Sequence, residues 1–142
     1  MVVLVGALAL FVVLALVLRR RNGRFAASRS GPVVGPDHDT VAPAPPLADY
    51  AVGERATLVQ FSSAFCAPCR ATRRTLAEVS EVVPGVAHTE IDAEAHLELV
   101  RELNILRTPT TIVLDARGTE VARASGAPTK AQVVQALGRA ID

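Results

Sequence analysis

The sequence has few of the residues that hold small proteins together by covalent bonds or metal ions. Its 142 residues include two cysteines, three histidines and no tryptophan. Two cysteines are too few for a disulfide-stapled mini-protein. A zinc site on Cys66 and Cys69 would need two further ligands, and the histidines available are His38, His88 and His96. Because His38 falls in a Pro-rich segment, we expect no metal site.

A strong excess of basic charge is also missing from most of the chain. Five of the fifteen basic residues are arginines between Arg19 and Arg29, so residues 37–142 hold 10 basic and 14 acidic side chains, a net charge of −4. This balance disfavours a basic nucleic-acid-binding domain, and we expect no nucleic-acid partner. The length allows one ordinary domain with appendages.

Polar side chains are absent from the first 18 residues, Met1–Leu18. As a helix, this segment would span about 27 Å, close to the ~30 Å hydrocarbon core of a bilayer. The arginines follow the apolar run instead of preceding it, which disfavours a cleaved secretion signal. We therefore predict a single-pass membrane anchor over residues 1–18, with the rest of the chain in the cytoplasm. The alternative is a buried core helix.

Residues 19–49 are predicted to be a linker, basic at first and then rich in proline. They show no helical or alternating apolar pattern, so they bury too little surface to offset the entropy lost on ordering. Ala42–Pro46 favours extended polyproline geometry. The folded domain is then expected over residues 50–142.

Apolar periodicity in the remaining residues predicts the order βαβαββα. The expected strands are Leu58–Phe61, Val86–Ile91, Thr110–Leu114 and Glu120–Ala124, and the expected helices are Cys69–Val83, Ala93–Leu103 and Lys130–Ile141. A βαβ unit followed by a hairpin implies a mixed sheet covered on both faces. We therefore expect an α/β fold with a mixed sheet of four to five strands flanked by helices.

Several short motifs along the chain resemble motifs of the thioredoxin family. Phe65–Arg70 (FCAPCR) follows a buried strand and resembles the redox motif, and Thr108–Thr110 (TPT) resembles the family's cis-proline loop. Ile91-Asp92 resembles the end of the next strand, and Ser125–Ala127 resembles the glycine segment before the last helix. The resemblance covers residues 57–141. Together with the anchor predicted over residues 1–18, it gives a membrane-anchored thioredoxin-like protein as the expected identity.

Cys66 and Cys69 are the predicted catalytic residues. The N–H groups and dipole at a helix N-terminus stabilise a thiolate, so Cys66, the first of the pair, is the predicted nucleophile. Cys69 lies one turn into the helix and is the predicted resolving thiol, which attacks the mixed disulfide on Cys66. Pro68 suits the first helical turn, where its missing N–H would have been unpaired.

The resemblance also implies that Phe65, Thr108 and Pro109 bind substrate. In the family the proline is cis and faces the cysteines, and the backbone of the residue before it pairs with an extended substrate segment. Phe65 stands at the position of an aromatic residue in the family, and we expect its ring to pack beside Cys66. The alternative for Pro109 is a proline that only starts a strand.

Two positions depart from the family pattern and bear on proton transfer. Gln60 stands where most thioredoxins have a buried aspartate, and His88 stands where they have a lysine. Gln60 cannot titrate. Either His88 or water takes the proton of the resolving thiol, or exchange is slower, or Gln60 is a satisfied polar residue of the core.

The expected function is a membrane-tethered reductase of protein disulfides. If the domain is cytoplasmic, the resemblance implies electrons from NADPH through a thioredoxin reductase, and it implies no bound cofactor. If the orientation is reversed, the same fold would act outside the membrane. The alternative is a redox-inactive docking module of a membrane complex, which the glutamine at position 60 and the missing tryptophan favour.

Overall fold

The computed structural model describes residues 2–27 and 46–141, so the predicted extended tether at 42–46 lies, apart from Pro46, outside the described residues. The elements in chain order are α1 (Val2–Arg21), β1 (Phe25–Ala27), β2 (Ala56–Ser62), α2 (Ala67–Val82), β3 (Val86–Asp92), α3 (Leu97–Glu102), β4 (Thr110–Asp115), β5 (Glu120–Ser125) and α4 (Lys130–Ile141). A 3₁₀ turn, Ala48–Tyr50, precedes β2. The predicted order βαβαββα is present from β2 to α4.

The five strands form one mixed sheet in the order β1-β5-β4-β2-β3. β2 and β3 are parallel, and the other neighbours are antiparallel. All seven residues of β2 are buried. Because side chains alternate along a strand, Leu58 and Gln60 face one side of the sheet, and Val59 and Phe61 face the other. The predicted α/β fold with a mixed sheet is confirmed.

The hydrophobic core has one cluster on each side of the sheet. On the side of Leu58, the first cluster includes Leu76 and Val79 from α2 and Val133 and Leu137 from α4. The second cluster, on the other side, includes Phe61, Ile91, Ile105, Ile112 and Leu114. It also contains Leu47, so the core takes in residues ahead of position 50, where we expected the domain to begin.

β1 is a strand that the sequence did not predict, since residues 25–27 fall within the expected linker. Phe25 pairs with Ala124, and Ala27 pairs with Ala122 of β5. The short segment FAA has little strand character of its own. It pairs with the edge of β5 that faces away from β4. Without β1, that edge would present unpaired N–H and C=O groups.

Helix α3 is shorter than the predicted helix Ala93–Leu103. The carboxylate of Asp92 accepts a hydrogen bond from the backbone N–H of Glu94 at 2.9 Å. The ring Nδ1 of His96 lies 3.0 Å from the carbonyl oxygen of Asp92. These local side-chain bonds hold residues 93–96 in a turn and delay the start of the helix.

The apolar side chains of residues 4–18 in α1 do not join either core cluster. Its large hydrophobic residues between Leu4 and Leu18 are 45–76% exposed. The alternative of a buried core helix is therefore wrong. In the two described ranges, no helix combines the length and the apolar character needed to cross a membrane. The membrane anchor over residues 1–18 stays a prediction from the sequence.

Candidate active site

Cys66 and Cys69 lie where β2 ends and α2 begins. They form a disulfide with an S–S distance of 2.06 Å and a Cα–Cα distance of 5.2 Å. Cys66 is the N-cap of α2, and its Sγ accepts the backbone N–H of Cys69 at 3.2 Å. Pro68 lies in the first turn of the helix, as predicted. The sulfur of Cys66 therefore lies at the N-terminus of α2, where it accepts the N–H of Cys69.

The two cysteines differ in their exposure to solvent. Cys69 is only 2% exposed, whereas Cys66 is partly exposed. An incoming disulfide can therefore reach Cys66 first. This asymmetry agrees with the order of action predicted from the motif.

Phe65, which precedes the motif, projects into solvent. Its side chain is 101% exposed, and its backbone has a left-handed φ of 57° that residues with a side chain seldom adopt. The prediction that its ring packs beside Cys66 is wrong, because the loop backbone turns the side chain away from the domain. The exposed ring is free to contact another molecule.

The loop before β4 lies beside the loop before Cys66. The Thr108–Pro109 peptide bond is cis, as the resemblance implies. The hydroxyl oxygens of Ser63 and Thr108 are 2.8 Å apart, which joins the two loops. On the other side, the backbone N–H of Gly126 donates to the carbonyl of Pro109 at 2.7 Å.

Gln60 is fully buried behind the disulfide. Its Nε2 donates to the backbone carbonyl of Cys69 at 2.9 Å and to the hydroxyl of Ser62 at 2.8 Å. Its Oε1 has no hydrogen-bond partner among the described residues. The interpretation of Gln60 as a satisfied polar core residue therefore holds for the amide nitrogen only.

A chain of hydrogen bonds connects Gln60 to the protein surface. The hydroxyl of Ser62 donates to the carboxylate of Glu90 at 2.6 Å. Arg73 of α2 binds the same carboxylate, with N···O distances of 2.6 and 2.7 Å. Partial burial of Glu90 opposes the ionisation of its carboxyl group. The hydrogen bonds from Arg73 and Ser62, together with the charges of Arg73 and His88, outweigh this effect, so the pKa of Glu90 is lowered.

His88 lies two residues before Glu90 on β3 and is further from the cysteines. It is opposite Leu58 in the parallel register, whereas Glu90 is opposite Gln60. Burial lowers the pKa of His88, the Glu90 carboxylate opposes that effect, and the charge of Arg73 adds to it. Gln60 is therefore connected to Glu90 through the hydroxyl of Ser62. His88 is not part of this chain of hydrogen bonds, and its lowered pKa makes it neutral at neutral pH.

A sequence profile for a thioredoxin-like domain matches residues 47–141. The chain belongs to the thioredoxin-like family. Thioredoxin C-3 of Corynebacterium nephridii is 34% identical over 70 residues, which are 49% of this chain and 48% of that protein. Thioredoxin-2 of Pyricularia oryzae is 32% identical over 78 residues, 54% of this chain and 45% of that protein. The chain thus spans about half the length of each of these two relatives.

Solved thioredoxin structures share this fold. The reduced thioredoxin pre-protein of Schistosoma mansoni superimposes with a TM-score of 0.55 and 25% sequence identity, over 65% of this chain and 85% of that one. The superposition supports the thioredoxin-like assignment of the sheet and helices. It leaves the roles of individual site residues as predictions.

Sequence reasoning about this thioredoxin-like domain missed Ser62, Glu90 and Arg73. Side chains alternate along β2, so Ser62 lies on the same face as Gln60. That alternation could have predicted Ser62 as a neighbour of Gln60. The contact with Glu90 required the register of β3 against β2, and the sequence does not contain that register. Nothing in the spacing of Arg73 distinguished it from the other arginines of α2.

Proposed function

We propose that this thioredoxin-like domain is a thiol:disulfide oxidoreductase that reduces disulfide bonds in protein substrates. The observation that carries the proposal is the unequal pair at the start of α2. Cys66 is partly exposed and its sulfur accepts the N–H of Cys69, while Cys69 is buried and within bonding distance. A reactive thiol and a protected resolving thiol are what a two-step exchange requires.

In the dithiol form, the thiolate of Cys66 attacks one sulfur of the substrate disulfide. The substrate S–S bond breaks, one substrate sulfur leaves and takes up a proton, and a mixed disulfide forms on Cys66. Cys69 then loses its proton and attacks the sulfur of Cys66. The Cys66–Cys69 disulfide forms, the second substrate thiol is released, and two electrons have passed to the substrate.

Phe65, Thr108 and Pro109 are the proposed substrate contacts. The bond between Ser63 and Thr108 holds the cis-proline loop beside the loop that carries Cys66. Phe65, the residue before the reactive cysteine in the chain, offers an exposed apolar ring. An extended substrate segment that crosses this end of the sheet would meet all three residues.

Reduction of insulin by dithiothreitol, catalysed by the full chain, tests the proposal. We expect a clear rate above dithiothreitol alone and loss of that rate in Cys66→Ser. When dithiothreitol is removed before insulin is added, reduced Cys69→Ser should accumulate as a mixed disulfide with insulin through Cys66. A redox-inactive docking module would give no rate above the reagent. That result would replace the proposed activity with the docking function.

The electron source and the location in the cell stay predictions from the sequence. A thioredoxin reductase with NADPH should re-reduce the Cys66–Cys69 pair if the domain is cytoplasmic. A membrane-impermeant thiol reagent applied to intact cells tests that location and the membrane tether together. Labelling of Cys66 only after lysis, with the chain in the membrane fraction, is the expected result, and labelling of intact cells would reverse the orientation.

A further inference from the structure

Three buried polar side chains near Cys69 each hold an atom without a hydrogen-bond partner among the described residues. These atoms are Oε1 of Gln60, Oγ1 of Thr72 and Oγ1 of Thr111. The three residues are 0%, 1% and 0% exposed. Buried polar atoms are nearly always hydrogen-bonded, so three such atoms in one region call for an explanation.

The three residues lie in one layer, between the sheet and the helices α2 and α4. Thr111 is the register partner of Gln60 on the neighbouring strand β4. Thr72 belongs to the buried stripe of α2 and lies three residues after Cys69, so the two side chains are on the same helix face. The hydrogen bond from Gln60 to the carbonyl of Cys69 joins the sheet to this turn of the helix.

The rest of this layer is apolar. The first core cluster continues from these three residues, with Leu58 next to Gln60 along β2, Val113 next to Thr111 along β4, and Leu76 one turn after Thr72. The polar atoms are therefore grouped at the Cys69 end of the core. A fourth atom without a partner, Nε2 of His88, is at the level of Leu58 and further from Cys69.

The redox state of Cys69 changes what these atoms can bind. In the disulfide, the sulfur has no hydrogen to donate. Reduction places an S–H group, and during exchange a thiolate, in the same buried region. A threonine hydroxyl can rotate to accept from the S–H or to donate to the thiolate, and the amide oxygen of Gln60 can accept from the S–H.

We propose that Gln60, Thr72 and Thr111 form a neutral polar pocket for the Cys69 thiol, and that this pocket stabilises the dithiol form relative to the disulfide. The pocket gives a buried thiol hydrogen-bonding partners without a buried charge. Ser62 and Glu90 are positioning residues, because their hydrogen bonds hold Nε2 of Gln60 away from the pocket and leave Oε1 for it. This inference rests on the proposed redox function of the cysteine pair.

The test is the equilibrium of the full chain with mixtures of reduced and oxidised dithiothreitol, with the dithiol fraction measured by alkylation and mass spectrometry. Thr72→Val and Thr111→Val remove one hydroxyl each and keep the side-chain shape. Loss of one hydrogen bond from the dithiol form should shift the equilibrium constant towards the disulfide about threefold to tenfold. That shift equals a reduction potential lower by about 15 to 30 mV.

Thr57→Val is the matched control. Thr57 is also fully buried on β2, but it lies on the opposite face of the sheet, and its hydroxyl accepts the N–H of Gly53 at 3.0 Å. This variant should destabilise both redox forms equally and leave the potential unchanged. Thr72→Ser and Thr111→Ser keep the hydroxyl, and they should keep the wild-type potential.

Thermal unfolding of the two redox forms gives an independent check. The valine variants should lower the stability of the dithiol form relative to the disulfide form. An unchanged potential in both valine variants, or an equal loss of stability in both forms, would overturn the pocket. These are equilibrium measurements without a protein substrate, so a failure of insulin reduction would contradict the proposed function and not the pocket.

Discussion

The side chain of Gln60 donates a hydrogen bond to the backbone carbonyl of Cys69 over 2.9 Å, from a fully buried position on β2. The amide thereby connects the centre of the sheet to the first turn of the helix that carries the redox pair. A side chain at position 60 that accepts hydrogen bonds but cannot donate them would place an oxygen atom against the carbonyl oxygen of Cys69. The chemistry of position 60 is therefore coupled to the stability of the active-site turn.

Gln60→Glu should destabilise the disulfide form more at high pH than at low pH. Burial and the facing carbonyl of Cys69 raise the pKa of the introduced carboxyl above its unfolded value, so stability falls as the pH rises through that range. At pH 8 the loss should be about 3 to 5 kcal/mol. Denaturant unfolding at pH 5 and pH 8 measures the effect, and equal losses at both values would contradict it.

Cys66 should be alkylated before Cys69 when the reduced protein meets limiting iodoacetamide at neutral pH. The helix N-terminus stabilises the thiolate of Cys66, and burial protects Cys69. Peptide mass spectrometry identifies the modified residue, and the unfolded chain, in which both should react similarly, is the control. Modification of Cys69 first would reverse the two roles.

His88 should make the domain less stable as the pH falls below about 6.5. Burial lowers the pKa of His88 in the folded state, so the unfolded chain binds a proton more readily and stability is lost on acidification through the usual histidine range. His88→Gln should flatten the change in unfolding free energy between about pH 7.5 and pH 5.5. An unchanged slope in His88→Gln would contradict this prediction.

Gly23→Ala should weaken the pairing of β1 with β5. Gly23 has a φ of +73°, and a Cβ atom there would clash with the carbonyl oxygen of Ala127. We expect a loss of about 1 to 3 kcal/mol, measured by denaturant unfolding.

The control for this substitution is Gly138→Ala in α4, where a Cβ meets nothing within 4 Å. That variant should be more stable than wild type by about 0.5 to 1 kcal/mol, since alanine suits a helix better than glycine. A stable Gly23→Ala protein with unchanged amide-exchange protection of β5 would show that the pairing of β1 does not depend on glycine at position 23.

The sequence by itself determined the order of elements from β2 to α4 and the position of Cys66 at the start of a helix. Both depend on short-range signals. Leu58–Phe61 is an apolar run ended by serines, and the proline at position 68 suits a first helical turn. The resemblance to the thioredoxin family then placed the redox motif and the cis-proline loop in the same fold.

Only the tertiary structure decided which groups surround the buried cysteine and which segment covers the edge of the sheet. Ser62 meets Glu90, 28 residues later, through the register of two parallel strands. Phe25 is a strand residue because it pairs with the edge of β5 that β4 does not cover. Such contacts join residues far apart in the chain. The alternation of apolar residues along a strand shows which side chains share a face, but it does not show which strand or helix packs against that face or edge.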